Sequence, residues 1–440
     1  MLRRTFCKYI SAGLTSLGIH STSFAGKGKR KAKPNFIIIF TDDQGYGDLG
    51  CFGSADMHTP NIDRMAAQGM KMTDFYSASP VCTPSRAALL TGNYPLRAGN
   101  LPVLWPFHKI GLNPSETTIA DVLKGQQYAT ACIGKWHLGH HKEFSPVRQG
   151  FDYFYGMPYS NDMFPKPLLR NDEIIERPVN QNTLTRRYTQ EAVKFIRRNK
   201  DNPFFLYLPH TMPHVPLAVS DRFRGKTSRG LYADVIAELD WSTGQILSTL
   251  KELDLEKDTL VIYTSDNGPW LGKGAKGGSA GPLRGGKFSA YEGGMRVPCV
   301  MQWRGIIPAG RSCPALTTTM DLLPTCAALA GASLPDNPID GKNIVDVIVG
   351  NRSRHSPYDA FIYYGPRGTV RAVRSGSWKL FLKKNELYNL REDIGEQTNL
   401  YPKHMAMVKK LRKMAIEIDK EIRSQRRPPG KLKVLRNQEQ

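Results

Sequence analysis

Several short stretches of this 440-residue chain carry side chains suited to chemistry. Asp42-Asp43 sets two carboxylates side by side, and Asp266-Asn267 adds a carboxylate and an amide. Such hard oxygen donors suit Ca²⁺ or Mg²⁺ rather than zinc, and crowded like charges demand a cation. Taken alone, either pair also suits a turn or a helix cap. Cys82-Thr83-Pro84-Ser85-Arg86 is a different signal. Pro84 fits a first helical turn and Gly92 can stop the helix. Cys82 and Thr83 are then expected just before the helix N-terminus, where free N–H groups and the macrodipole favour anions. Arg86 adds a fixed positive charge one turn in. Two readings of Cys82 stand at this point: a sulfur nucleophile beside an anion cradle, or a buried cysteine before an ordinary helix.

Lys135 and His137 lie in Gly-Lys-Trp-His-Leu-Gly, His210 and His214 in His-Thr-Met-Pro-His-Val-Pro, and Lys287 in a Gly-rich run from Leu283 to Gly294. Ser160 lies in Pro-Tyr-Ser-Asn-Asp. A surface lysine, a hydrogen-bonded core histidine and a loop serine are the ordinary readings of each one singly. What sets them apart is where they fall. Asn35–Phe40, Ala129–Ile133, Phe204–Leu208 and Leu260–Thr264 are continuous, β-branched apolar runs of buried-strand type. Each is followed at once by one of the polar clusters. Helical patterns at Ile119–Lys124, Thr185–Arg198 and Tyr232–Leu253 alternate with them. That alternation predicts an α/β fold with a large, mostly parallel sheet covered by helices on both faces. Ligands of such sheets bind beyond the carboxyl ends of the strands, so one site is expected there. Val297–Trp303 reads as a further strand, and Asp321–Ala330 as a helix. From Ala360 to Leu390 short alternating segments predict a small antiparallel sheet. Met405–Ile422 reads as a basic amphipathic helix, and Arg426 onward as a loose tail. The expected organisation is an export signal at 1–25, a basic mobile segment at 26–33, a catalytic domain at 34–350, a C-terminal α+β subdomain at 351–425 and a basic tail at 426–440.

The formal charge is +22, with 40% apolar and 10% aromatic residues. That composition excludes a disordered chain. Residues 1–33 carry eight basic and no acidic side chains, and 403–440 carry twelve basic and four acidic ones. The excess therefore sits at the two ends, as solvated tails or as an aid to binding polyanions, and does not by itself indicate nucleic acid. Arg3-Arg4 resembles a twin-arginine motif, followed by a short apolar stretch and the small-residue site Ser23-Phe24-Ala25. The stretch is too short to span a membrane. An exported protein, periplasmic or secreted, is the expectation. The seven cysteines show no Cys-x-x-Cys zinc pattern.

Cys82-x-Pro-Ser-Arg with Leu90-Thr91-Gly92 resembles the signature of the type I sulfatases. Asp43-Gln-Gly-Tyr-Gly47, Tyr159-Ser-Asn-Asp162 and Ser265-Asp-Asn-Gly-Pro-Trp270 resemble the arylsulfatase A-like subgroup. The resemblance runs from about Pro34 to Leu400. It implies an alkaline phosphatase-like fold and hydrolysis of sulfate esters: aryl sulfates in vitro and sulfated carbohydrate in nature. It implies that Cys82 is converted to formylglycine by a formylglycine-generating enzyme. By the same resemblance Asp42, Asp43, Asp266, Asn267 and residue 82 hold one divalent cation, Ca²⁺ ahead of Mg²⁺. Lys135 and Lys287 are implied to bind the sulfate, with Ser160 contacting it. His137 is implied to bond the formylglycine hydroxyl, and His214 to contact the ester and donate a proton. Gly286, before Lys287, departs from relatives that carry other residues there and bears on substrate preference. Two alternatives stand: a phosphate or phosphonate ester hydrolase of the same fold, and a non-catalytic binder of sulfated glycans.

Overall fold

A computed structural model of the chain describes residues 33–99, 101–350 and 355–432. The candidate export signal and most of the basic segment lie outside the described residues. Ten strands form the main sheet: β1 Asn35–Thr41, β2 Met70–Met72, β3 Ala129–Lys135, β4 Tyr153–Met157, β5 Leu168–Arg170, β6 Glu173–Glu176, β7 Phe204–Pro209, β8 Thr259–Ser265, β9 Cys299–Gln302 and β10 Arg311–Cys313. Their spatial order is β10-β2-β9-β8-β1-β7-β3-β4-β5-β6. The central run from β8 through β1, β7 and β3 to β4 is parallel, and β9 and β5 turn antiparallel at its two sides.

Alternation along β1 explains the layers. Phe36, Ile38 and Phe40 enter one core, whereas Ile37 and Ile39 enter another. Successive side chains of a strand point to opposite faces, so a strand apolar at every position needs cover on both. On the first face lie α2 Cys82–Thr91, α3 Ile119–Gly125 and α6 Leu322–Ala330; on the second lie α1 Pro60–Ala67, α4 Leu184–Arg198 and α5 Leu231–Glu252. Thr41 pairs with Ser265, and Phe40 with Pro209. In parallel register, Asp42-Asp43, Asp266-Asn267 and His210 therefore leave the sheet at one edge.

The helix carrying Cys82 begins two residues earlier than Pro84 suggests. Val81 is extended, Cys82 is its first residue, and Gly92 ends it in the left-handed conformation at φ +67°. Pro84 in the third position still falls among the N–H groups that a helix leaves unpaired. All ten residues are buried, because the helix runs under the sheet's ligand-binding edge and not across its surface.

A second sheet of four antiparallel strands spans Phe361–Tyr364, Val370–Ser375, Trp378–Phe381 and Glu386–Asn389. With helix α7, Met405–Ser424, it shares a core with Tyr76, Ala78, Ala88 and Tyr94. A buried ionic network crosses that boundary. Lys379 bonds Glu292 and Glu396 at 2.8 Å each, and Asp74 accepts from Arg296 and Arg374 at 2.5 Å each. Residues 426–432 are not a loose tail. Gly430-Lys431 pairs antiparallel with Ile110-Gly111, and Arg427 clasps the buried Glu116 through two bonds of 2.6 and 2.7 Å. A positively charged stretch reads as solvated only while no buried carboxylate waits for it, and the sequence does not display Glu116 as buried.

Candidate active site

Asp42, Asp43, Cys82, Arg86, Lys135, His137, Ser160, His214, Asp266 and Asn267 are buried at the sheet's carboxyl edge, and the side chain of Lys287 is buried with them. Arg86 reaches from α2 to donate to Asp266 at 2.8 Å and to the Lys135 carbonyl at 2.9 Å, with Asp42 at 3.6 Å. Lys135, the last residue of β3, donates to Asp42 at 2.6 Å and Ser160 at 3.1 Å. Lys287 donates to Asp43 at 2.7 Å, and His214 Nε2 stands 3.6 Å from the same oxygen. Asp43 N donates to Asp266 at 3.0 Å, and the Asn267 amide donates to Asp43 at 2.7 Å. Nine of these eleven residues are thus tied into one network, and Cys82 lies among its charges. His137 touches it differently. Its Nε2 bonds the Leu104 carbonyl at 2.8 Å, and its buried Nδ1 has no hydrogen-bond partner. His210 stays outside: it faces Tyr188 and lies 3.4 Å from Ser242 Oγ, and burial pushes it down to about 3.

Three non-glycine residues here hold positive φ: Asp43 at +64°, His137 at +60° and Phe288 at +74°. Such backbone costs of order 1 kcal/mol or more per residue and persists where the surroundings enforce it, often at functional sites. Gly286 is dictated by close approach: a Cβ there would fall 2.3 Å from the Pro269 carbonyl, which also accepts from Lys287 N at 2.9 Å.

Burial alone would push the Asp42 carboxyl up. Lys135, His214, Arg86 and Lys287 outweigh it and hold Asp42 well below the usual carboxylate range. Burial, then the charge of Asp42, pushes Asp266 up against the pull of Arg86. Burial, with Lys135 and Arg86, holds His137 far below its ordinary range, hence neutral. Burial also lowers His214, opposed by Asp43 and Asp42. For Lys287 burial acts downward, but Asp43 and Cys82 win and the ammonium is kept. Burial raises the Cys82 thiol in spite of Lys135 and Lys287. A buried, protonated thiol is a poor nucleophile. The unmodified side chain therefore does not supply the reactivity that its position suggests.

The donor set fits a hard divalent cation. Asp42 Oδ1 and Asn267 Oδ1 are buried without a hydrogen-bond partner, which normally costs 1–3 kcal/mol for each such atom. Ligand atoms of Asp42, Asp43 and His214 lie within 4.8 Å of one another. His214 is set apart from the oxygen donors by its chemistry and by Nδ1, which bonds the Val215 carbonyl at 2.6 Å. Asp42, Asp43 and Asp266 balance Arg86, Lys135 and Lys287 in formal charge, so a bound divalent ion makes the pocket net positive and suited to an anion.

Trp270 is a residue that sequence reasoning left without a role. Its ring lies 5.6 Å from His214, with the Lys287 ammonium 4.5 Å from its centroid. Its place four residues after Asp266 was the available signal. Leu104 is another: its backbone takes His137 and, at 3.1 Å, Thr83 Oγ1. Nothing in the local sequence marks that contact.

A parallel sheet ending in carboxylates, an amide, two lysines and a helix-borne cysteine defines a hydrolase of anionic esters. The chain belongs to the sulfatase family, whose model matches residues 34–332, and it is a sulfuric ester hydrolase. Residues 286–424 match the C-terminal model described as N-sulphoglucosamine sulphohydrolase. The chain is 40% identical to N-acetylgalactosamine-6-sulfatase of Canis lupus familiaris, over 81% of this chain and 73% of that one. It is 36% identical to steryl-sulfatase of Homo sapiens, over 80% and 76%. The solved structure of Ps i-CgsB in complex with k-i-k-neocarrahexaose superposes with a TM-score of 0.81 at 31% identity, over 89% of this chain and 94% of that one. Among the described residues no helix is long and apolar enough to cross a membrane.

Proposed function

We propose that the protein hydrolyses sulfate esters of carbohydrate through a formylglycine made from Cys82 by a formylglycine-generating enzyme, and that it acts after export, Arg3-Arg4 belonging to a twin-arginine signal. The observation that carries this reading is Cys82 itself: buried among Lys135, Lys287, Asp42 and Asp266, yet with its thiol held protonated. The carbohydrate assignment follows relatives whose names or bound ligands are sugars.

Asp42, Asp43, Asp266 and Asn267 would hold Ca²⁺, which when bound polarises a hydroxyl on residue 82 and takes up charge on the sulfuryl oxygens. The hydrated aldehyde supplies two hydroxyls on one carbon, one to attack sulfur and one whose deprotonation later expels sulfate. The remaining work falls to this chain's side chains. Lys135 and Lys287 hold the sulfuryl oxygens, where their charge counts most because water is excluded. Ser160, fixed by Lys135, adds a hydroxyl to that grip. Arg86 anchors Lys135 through its carbonyl and keeps Asp266 in place. His214, doubly protonated with Nδ1–H on the Val215 carbonyl and its charge supported by Asp43, gives its Nε2 proton to the departing oxygen, with Lys287 beside it. His137, neutral and with Nδ1 free, accepts the proton of the second hydroxyl.

The direct test is the mass of the peptide containing Cys82, from protein made together with the maturation enzyme. The expected product is the aldehyde. An intact thiol, with that enzyme shown to be active, overturns the formylglycine mechanism and favours a sulfated-glycan binder or another ester hydrolase. The cation has a readout independent of turnover. Adding Ca²⁺ to chelated protein should raise the melting temperature, since a ligand at a hundred times its Kd stabilises by about 2.7 kcal/mol. Asp42→Asn should remove most of that shift. An equal shift in parent and variant would take the ion away from this site.

A further inference from the structure

Beside the catalytic pocket, on the side of the small sheet, lies a second cavity of about 250 Å³. Phe288, Tyr291, Arg371, Phe381, Lys383 and Lys384 line it. Its position relative to the reaction is fixed by Phe288. That residue follows Lys287 in the chain, its N–H donates to the Pro80 carbonyl at 3.0 Å just before Cys82, and its ring meets Trp270 at 5.5 Å. Phe288 thus links this cavity to Lys287 and Trp270 of the catalytic site.

Two features set Phe288 apart. It is 49% exposed, and a bulky aromatic holds φ at +74°. The ring meets Trp270 along one side only, so a large part of its apolar surface stays open in a backbone conformation that is costly. A flat apolar face presented to a passing ligand accounts for both. The charges point the same way. Arg371 and Lys383 are exposed and make no ion pair among the described residues. Lys384 donates to Tyr291 Oη at 2.8 Å and lies 4.5 Å from its ring. The acidic group facing this cluster is Glu386, which accepts from Tyr291 Oη at 2.9 Å. Three cations against one carboxylate leave the cavity net positive, with Arg371 and Lys383 unspent. An apolar ring beside a few convergent donors is the usual make-up of a small-ligand site, and guanidinium groups match the planar or tetrahedral oxyanions of carboxylate and sulfate.

We propose that this cavity is a second anion subsite, which takes an acidic sugar residue, sulfated or carboxylated, linked to the one whose sulfate ester is hydrolysed. The inference rests on the carbohydrate-sulfatase reading. It makes the enzyme one that prefers charged oligosaccharides to sulfated monosaccharides. Phe288 offers its face to the sugar ring, and Arg371 and Lys383 take the anion.

The test uses equilibrium binding by calorimetry to the full chain carrying Cys82→Ala, which holds ligands without turnover. The probes are galactose 6-sulfate, an ι-carrageenan tetrasaccharide, whose neighbouring sugar carries a sulfate, and a chondroitin 6-sulfate tetrasaccharide, whose neighbouring sugar carries a carboxylate. Removing both free charges, Arg371→Ser with Lys383→Ser, should weaken at least one tetrasaccharide about tenfold relative to its effect on the monosaccharide. A larger loss on carrageenan identifies sulfate as the second anion; a larger loss on chondroitin identifies the carboxylate. Phe288→Ala should weaken both tetrasaccharides. A melting scan confirms that the variants fold. Equal loss on all three probes, no loss on any, or no tetrasaccharide binding by the parent overturns the proposal. Failure of the sulfatase reading itself shows separately, as an unconverted Cys82 in the matured parent.

Discussion

A Cys82→Ser chain is expected to release one alcohol per active site and then stop. Serine at this position has one hydroxyl. It can attack the sulfur of a bound ester, assisted by the same lysines, but it offers no second hydroxyl on the same carbon through which sulfate is expelled. Steady turnover should fall by roughly 10³-fold or more, which is about 4 kcal/mol at 1.36 kcal/mol for each tenfold step. The bulk of the site should survive, because serine replaces a buried thiol of similar size at the first residue of α2 and leaves Arg86 and both lysines in place. Intact-protein mass after exposure to an aryl sulfate is the measurement. The added mass of one sulfuryl group is the expected result. Full multiple turnover by this variant would sink the two-hydroxyl mechanism, whatever the mass of the mature parent.

The part of the site legible in the sequence is the part built at strand ends. Asp42-Asp43, Lys135, His210 and Asp266-Asn267 each follow an apolar run directly, and parallel pairing of Thr41 with Ser265 carries two of those clusters to one place. Cys82 and Lys287 were legible only through the family's motifs. Neither lies on a strand, and no periodicity brings a loop residue 205 positions away to the mouth of a helix. His210, the weaker candidate with an ordinary structural reading, is the converse case. It occupies a strand end like the others, yet it turns to Tyr188 and Ser242, because the chain's next turn and not the strand decides the direction of its side chain. The helix start was misplaced for a similar reason. Pro84 marks only that a first turn is near, and the extended Val81 that sets the boundary carries no sequence signal. Long-range charge pairs were the least legible of all. Arg427 is one of many basic residues near the C-terminus, and only the fold puts Glu116 beneath it. Phe288 is a third kind of case: a local rule is broken there, at φ +74°, and no residue type announces the break.

His214→Ala is expected to distinguish leaving groups. A 4-nitrophenolate departs without help, whereas a sugar alkoxide is far more basic and needs a proton as the S–O bond breaks. General acid catalysis is typically worth about 10²- to 10⁴-fold. Loss of that order is expected on a sugar sulfate, and a much smaller one on 4-nitrophenyl sulfate. The geometry favours His214 for the task. Its Nδ1 faces the Val215 carbonyl at 2.6 Å, which fixes the ring and leaves Nε2 toward Asp43 and the pocket. Trp270 packs against it at 5.6 Å and limits its swing. Lys287 reaches the same oxygen of Asp43, so it is the competing donor, and the two are separated by comparing their variants. Lys287→Ala removes a charge from the sulfuryl oxygens and should slow both substrates alike. If His214→Ala slows both alike and Lys287→Ala shows the leaving-group dependence, the proton comes from the lysine. His214 is then a residue that binds the ester and does not protonate it.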